Sequence, residues 1–356
     1  MAHIDTSLSQ RIERVLPRVQ KATRYMGGEM GEVMKDPASV RVRYAFLFPD
    51  VYEVGMSHLG MKILYHTINK RPDAWCERVF SPWVDMLDEM KRENIPLFSI
   101  ESRTPVGEFD MLGVTLQYEM SYTNILDALE MSGIPLRSAD RTDGPFVIAG
   151  GPCAFNPEPL ADFFDIFVLG DGEKSTHDTI DTFIKWKESG KPRSEYLRMC
   201  AQIPGVYVPS LYDVEYNDDG TVKSVTPKPG SGAPARVYKA LVNDLTAADF
   251  PDQMIVPYGD IVHDRIILEI FRGCTRGCRF CQAGMIYRPV RERSMDRLLE
   301  LAEKLVDATG YEEISLSSLS SGDYSCLPEL ATELMKRFQE RRVSVSLPSL
   351  RVDSFV

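Results

Sequence analysis

The stretch RGCTRGCRFCQAG, residues 272–284, holds three cysteines at offsets of four and three: Cys274, Cys278 and Cys281. Thiolate sulfur is a soft ligand. Three thiolates on one loop can each hold one iron of a cubane cluster, which leaves a fourth iron open to a small molecule. Zinc is the competing reading, because a catalytic zinc takes three protein ligands and a water, and His263 or Cys326 could complete a structural site. The C-x3-C-x2-C spacing on one loop after a strand departs from the paired knuckles of zinc fingers. The same loop is rich in arginine: Arg272, Arg276, Arg279, Arg288, Arg291, Arg293 and Arg297 stand against only Glu292 and Asp296. They read either as a solvated loop with surface ion pairs or as an anion-attracting rim, since the guanidinium fork suits carboxylate and phosphate.

Composition sets the context for those thiols. A chain of 356 residues has room for two or three domains, on a prior of roughly 100–200 residues each. Hydrophobic residues make up 44%, enough for a sizeable core. No apolar run approaches the roughly 20 residues that span a bilayer, and MAHIDTSLSQRIERV lacks a signal-peptide core. The expectation is a cytoplasmic protein without membrane association, where disulfides are rare. The other four of the seven cysteines, Cys76, Cys153, Cys200 and Cys326, lie scattered, so a metal site is favoured over a disulfide framework. A net charge of −11 argues against a wholly basic nucleic-acid binder.

The elements that must position this loop follow from hydrophobic patterning. Residues 7–25 read as a helix with apolar Leu8, Ile12, Val15, Leu16 and Val19, disturbed by Pro17, before a glycine-rich break. From 41 to 190, RYAFLF (43–48), PLFSI (96–100), MLGVTL (111–116), FVIAG (146–150) and DIFVLG (165–170) read as buried strands. Helices fit near 57–69, 82–93, 121–132 and 173–187. That alternation predicts a parallel sheet with crossover helices. The loops PDVYEVG, QYEMS, GGPCAFNPEP and GDGE then fall at strand carboxyl ends, where open α/β sheets bind ligands. Glycine there allows close backbone approach, and the helix near Glu173 offers free N–H groups. Residues 191–262 read as a hairpin turning at NDDG and a linker. At 263 the alternation resumes, with strands RIILEI (265–270), EEISLSS (312–318) and VSVSLP (343–348) and helices near 295–308 and 327–341. The expected domains are thus a helical extension (1–40), an α/β domain (41–190), the hairpin and linker (191–262), and a strand–helix region (263–356). Three such units do not close a barrel, so the sequence reads as truncated.

The motif Cys274-x3-Cys278-x2-Cys281, with Phe280 before the last cysteine, resembles that of the radical S-adenosylmethionine (SAM) superfamily. YRPVRERS (287–294) and SLSSGD (318–323) resemble an uncharacterised subgroup that carries an N-terminal cobalamin-binding-like domain. Together these likenesses span residues 40–356. They imply an α/β fold: a doubly wound, flavodoxin-like parallel sheet followed by the first part of a partial (β/α) barrel. They also imply a 4Fe-4S cluster on Cys274, Cys278 and Cys281, with SAM chelating the open iron through its amino and carboxylate groups. One electron would cleave SAM to methionine and a 5′-deoxyadenosyl radical, within an oxidoreductase class. Phe280 would pack against adenine. Ser320, Ser321, Gly322 and Asp323 match a Gly-Gly-Glu-like loop that holds the methionine amino group, keeping one glycine and an acid. Cys326 is expected to be a buried thiol at a helix start.

For the N-terminal domain, GGPCAFNPEP and LGDGE carry the resemblance and make Gly150, Gly151, Gly170 and Gly172 the candidate cobalamin contacts. The axial pattern Asp-x-His-x-x-Gly is broken around His58, which reads as a helix-start histidine, and cobalamin binding stays open. The implied partner is a one-electron reductant of flavodoxin or ferredoxin type, and the substrate, RNA and protein included, is undefined. An iron–sulfur electron-transfer or RNA-binding accessory protein is the competing function. An open fourth iron favours the enzyme, because a pure electron carrier gains nothing from a missing ligand.

Overall fold

Two sets of parallel strands organise the chain, which the computed structural model describes over residues 6–352. One compact unit takes in the residues up to 28, 32–55 and 64–241; the other takes in 29–31, 56–63 and 242 onward.

The first unit opens with α1 (Thr6–Val15), which lays Leu8, Ile12 and Val15 into the core at the spacing of one helix face. The expected helix over 7–25 stops there. Pro17 lacks an N–H and crowds the preceding turn, and the chain goes on as two 3-10 turns, Leu16–Arg18 and Ala22–Tyr25. In chain order there follow β1 (Val42–Phe48), α2 (Tyr52–Met56), α3 (Leu59–Asn69), β2 (Ala74–Phe80), α4 (Val84–Arg92) and β3 (Met111–Thr115). Next come α5 (Tyr122–Met131), β4 (Phe146–Gly150), β5 (Ile166–Val168), α6 (Gly172–Ser189), α7 (Arg193–Cys200) and β6 (Val206–Tyr207). The strands order as β2-β1-β3-β4-β5-β6, parallel throughout except for β6, which pairs antiparallel with β5. This is the doubly wound, flavodoxin-like arrangement expected, with its direction reversing between β1 and β3.

The strand assignments of this unit depart from the sequence reading most at β2 and at PLFSI. β2, AWCERVF, is not anticipated, yet all seven of its residues are buried. Its charged pair is buried because each member has a partner. Glu77 meets Arg43 and accepts from Ser99 Oγ at 2.8 Å, while Arg78 donates to Glu101 at 2.7 Å and to Glu32 at 2.8 Å. PLFSI, expected as a strand, forms none. Leu97, Phe98 and Ile100 are buried, but their backbone is satisfied piecemeal: Leu97 N–H by Met131 O, Ser99 N–H by Thr104 O and Ile100 N–H by Arg78 O. Apolar content here marks burial without a ladder.

The anticipated hairpin is β7 (Tyr212–Tyr216) and β8 (Val222–Pro227), turning through 217–221 with Gly220 at φ +82°. It lies in the first unit, as does α1.

The second unit contains β9 (Ile266–Glu269), β10 (Phe271–Arg272), α8 (Ala283–Ile286), β11 (Arg291–Glu292), α9 (Met295–Thr309), β12 (Glu313–Ser317), α10 (Leu327–Phe338) and β13 (Ser344–Ser346). Strands β13, β12 and β9 form one parallel sheet in that order. Its buried Ile266, Leu268, Ile314 and Leu316 share a core with Leu298, Leu301, Ala302 and Leu305 of α9 and with Leu330 and Leu334 of α10. Ser294 caps α9 by accepting the Arg297 N–H, and Gly310 ends it at φ +71°. No described helix is long and apolar enough to cross a membrane.

Candidate functional site

The cysteine loop leaves the carboxyl end of β9, the end at which parallel α/β barrels carry chemistry. Its base is closed rather than loose. β10 pairs antiparallel with β11, so residues 273–290 hang from a two-stranded clamp. Gly273 sits inside that clamp at φ +91°, where a Cβ would lie 2.4 Å from Pro289 O. A side chain there would force the two arms apart. Cys281 N–H donates to Cys278 O at 3.0 Å, turning the second and third cysteines about each other. All three thiols are free; Cys274 and Cys281 are half-buried and Cys278 is exposed.

This donor set fits an iron–sulfur cluster: three uncommitted thiols on one clamped loop, each reachable from solvent. Among the described residues, no group of three or more His, Cys, Asp and Glu side chains is arranged to hold a metal ion. Thiolates of a cubane bind different irons and stand further apart than the ligands of a single ion, so the two observations are compatible. His263, considered as a zinc ligand, has its backbone N–H on Ser57 Oγ at 3.0 Å, and its ring lies 3.3 Å from Arg265 Nη2. Cys326, expected to be buried, is half-buried at the cap of α10, because that helix start faces outward, with the exposed Ser325 beside it. Phe280 projects into solvent, 93% exposed.

The arginines divide by burial, and most form no rim. Arg293, 1% exposed, donates to the main-chain carbonyls of Glu269 and Leu245, and Arg291, 8% exposed, to that of Val242 at 2.8 Å. Both pin the base of the loop. Arg272 pairs with Glu269 at 2.7 Å and Arg297 with Glu300 at 2.7 Å. A guanidinium satisfied by carbonyls and carboxylates has few donors left for an incoming anion. Arg288 reaches back to Cys274 O at 3.4 Å. Arg279 is exposed and has no partner among the described residues.

The loop after β12 comes to the same place. Ser321–Asp323 form a 3-10 turn, and the two residues after it tie it to β11 and the residue that follows β11: Tyr324 Oη donates to Arg293 O at 2.8 Å, and Ser325 N–H to Glu292 Oε1 at 3.0 Å. Ser321 is fully buried, its hydroxyl 3.0 Å from Ser318 Oγ. Ser320, 2% exposed, makes no hydrogen bond of good geometry through Oγ, although it lies beside the Asp323 carboxylate and helps keep it ionised. Gly322 is half-buried. Arg276, from between the first two cysteines, donates Nε to Asp323 Oδ2 at 2.7 Å and Nη2 to Oδ1. The guanidinium holds the Asp323 carboxyl below its ordinary range. This pair, 47 residues apart in sequence, is the feature of the site that motif reading does not reach.

At the strand ends of the first unit, the candidate glycines serve the chain itself. A Cβ at Gly151 (φ +99°) would lie 2.8 Å from Leu116 O, and one at Gly170 (φ +100°) 2.2 Å from Ala240 O. Gly172 begins α6, with Leu64 at 3.4 Å, while Gly150 has only Val168 O at 4.0 Å. Across the reversal between β1 and β3, Tyr118 Oη donates to Asp50 Oδ2 at 3.0 Å; both residues lie in loops noted from sequence but were not singled out there. His58, which belongs to the second unit, accepts the Met61 N–H on Nδ1 at 3.1 Å, the geometry of a helix-start histidine.

Known families match two stretches of the chain. Residues 60–209 match the family described as radical SAM proteins, N-terminal, and residues 268–356 match the radical SAM superfamily. An uncharacterized protein of Methanocaldococcus jannaschii is 28% identical over 87% of this chain and 55% of its own length. A probable threonylcarbamoyladenosine tRNA methylthiotransferase of Archaeoglobus fulgidus is 36% identical over 23% of this chain and 20% of its own. The chain thus spans about half the length of the first relative and a fifth of the second. Among solved structures, it shares the fold of the radical SAM methyltransferase TsrM of Kitasatospora setae, determined with cobalamin and a 4Fe-4S cluster bound. The TM-score is 0.54 at 13% identity, over 89% of this chain and 58% of that one. A second TsrM structure, with tryptophan and a SAM analogue, gives 0.50 at 14% identity, over 88% and 56%.

Proposed function

This chain belongs to the radical SAM superfamily, and on that premise we propose that it is an enzyme that binds a 4Fe-4S cluster through Cys274, Cys278 and Cys281 and uses it to cleave SAM. The observation that carries the reading is the clamped loop with three free thiols at the carboxyl end of β9, within hydrogen-bond reach of the β12 loop. When bound, the cluster would supply one electron to the SAM sulfonium and so initiate radical chemistry. The chain's own residues do the rest. The β10–β11 clamp and the Arg291 and Arg293 pins hold the loop, so that its thiols need little reordering to bind. Phe280 offers an aromatic face to adenine from its exposed position. Asp323, kept ionised, offers a carboxylate to the methionyl ammonium, with Ser320 and Ser321 shaping the turn beneath it.

The related proteins whose names state an activity are a methyltransferase and a probable methylthiotransferase, which favours group transfer over net oxidation and sets the oxidoreductase class aside. Neither name supports a pure electron carrier. For cobalamin, the first unit offers the doubly wound sheet, Gly150 with only Val168 O at 4.0 Å, and the Asp50–Tyr118 pair at the sheet reversal. It offers no histidine on a loop after a strand among the described residues, since His66 lies in α3 and His177 in α6. The proposal is accordingly that any cobalamin held there is held without histidine on cobalt. A flavodoxin- or ferredoxin-type reductant remains the proposed electron source, and the cytoplasm the proposed location.

The test is anaerobic reconstitution of the full chain. The expected result is about four irons with matching sulfide, and charge-transfer absorbance that is lost in the Cys274→Ala, Cys278→Ala, Cys281→Ala variant. Reduction with dithionite should then release 5′-deoxyadenosine from SAM. One zinc with no labile sulfide would overturn the proposal.

A further inference from the structure

Two loops carry the residues proposed to meet SAM, and one solvent-facing ion pair spans them. The Arg276 guanidinium lies fork-on on the Asp323 carboxylate, and the two side chains are 43% and 24% exposed. The pair is not what holds the loops in register, since Tyr324 on Arg293 O and Ser325 on Glu292 do that on their own. An exposed pair contributes little to stability in any case. Its chemistry is more informative. The methionyl end of SAM carries an ammonium and a carboxylate on one carbon, and Arg276 and Asp323 present the complementary charges side by side. A planar guanidinium is suited to a carboxylate. Arg272, Arg291, Arg293 and Arg297 are taken up by Glu269, by main-chain carbonyls and by Glu300.

Resting on the superfamily reading above, we propose that Arg276 is the residue that recognises the methionyl carboxylate. Its ion pair with Asp323 is a resting latch that the bound zwitterion replaces: Asp323 turns to the ammonium and Arg276 to the carboxylate. Two charge-assisted contacts form where one pair is given up, so the exchange is balanced in charge and leaves no group unpaired. Arg351 also favours the ionised form of Asp323. The Ser320 hydroxyl, buried beside it, is a ready donor to the same carboxylate.

The experiment compares two probes on the cluster-reconstituted full chain by anaerobic calorimetry: SAM itself, and 5′-methylthioadenosine, which lacks the methionyl amino-acid end. In Arg276→Gln, SAM affinity should fall about 10-fold or more while 5′-methylthioadenosine binds as before, and Arg276→Lys should recover part of the loss. Cluster absorbance should be the same in all three proteins. Equal or tighter SAM binding in Arg276→Gln would overturn the inference, because it would mean that Arg276 only competes for Asp323. A parallel loss of both probes would also overturn it, by showing a collapsed loop rather than recognition of the zwitterion. A chain that takes up no cluster even without substitution would remove the superfamily reading and the inference with it, an outcome visible in the absorbance before any ligand is added.

Discussion

Replacing Lys62 by methionine should make the second unit more stable at neutral pH and flatten its response to alkali. Lys62 lies on α3, is 8% exposed, and places its ammonium where no hydrogen-bond partner reaches. Burial lowers its pKa from 10.5 to about 8, partly opposed by Asp264. The folded pKa is thus below the unfolded one. Between about 8 and 10.5 the unfolded chain binds a proton that the folded chain does not, so stability rises with pH across that window. Below pH 8 both states are charged, and the folded state bears the whole penalty of a buried cation. At about 1.4 kcal/mol per pH unit, the interval from about 8 to 10.5 bounds that penalty at about 3 kcal/mol. Methionine keeps an unbranched, flexible side chain, one heavy atom shorter, without the charge. The assay is urea unfolding followed by far-UV circular dichroism at pH 7 and pH 10.5, for both proteins, so that other groups titrating in alkali cancel in the difference. The expected result is a gain of up to about 3 kcal/mol for Lys62→Met at pH 7 that vanishes at pH 10.5. Destabilisation at pH 7 would refute the reasoning, because it would mean that the ammonium and Asp264 form a net favourable pair.

Three further outcomes are expected. Glu101→Ala removes one of the two carboxylates on the buried Arg78 guanidinium, leaving Glu32, and should lower the stability of the first unit by about 1–3 kcal/mol in the same unfolding assay. Gly170→Ala sets a Cβ 2.2 Å from Ala240 O at φ +100° and should cost about 1–3 kcal/mol in thermal unfolding, whereas Gly150→Ala should be close to neutral. His58→Ala removes the acceptor for the Met61 N–H and should cost about 1 kcal/mol, while leaving the absorbance of any bound cobalamin unshifted.

Local patterns account for what sequence reading reaches. RYAFLF, MLGVTL and FVIAG are apolar because β1, β3 and β4 are buried on both faces, so composition and structure coincide. The three cysteines lie within eight residues, and their spacing survives folding unchanged. AWCERVF fails the same test because Glu77 and Arg78 look like surface charges until Arg43, Glu32 and Glu101 arrive from elsewhere in the chain. PLFSI fails in the opposite sense, since apolarity reports burial and not hydrogen-bond pattern.

The arginines show why the rest of the site is hidden. Arg276, Arg291 and Arg293 stand close together in sequence and belong to one residue type, yet two are sealed against carbonyls and one lies open on a carboxylate. What separates a pin from a ligand is the environment brought by Val242, Leu245 and Asp323, and no window around the cysteines contains it. The division also has a mechanical consequence. Because Arg291 and Arg293 fix the base of the loop through main-chain contacts that do not involve Arg276, the Arg276–Asp323 pair can open without releasing the loop that carries the thiols. A site of the kind proposed, holding three thiolates still while admitting a charged ligand, needs that separation of tasks, and the burial of individual arginines rather than their number would supply it.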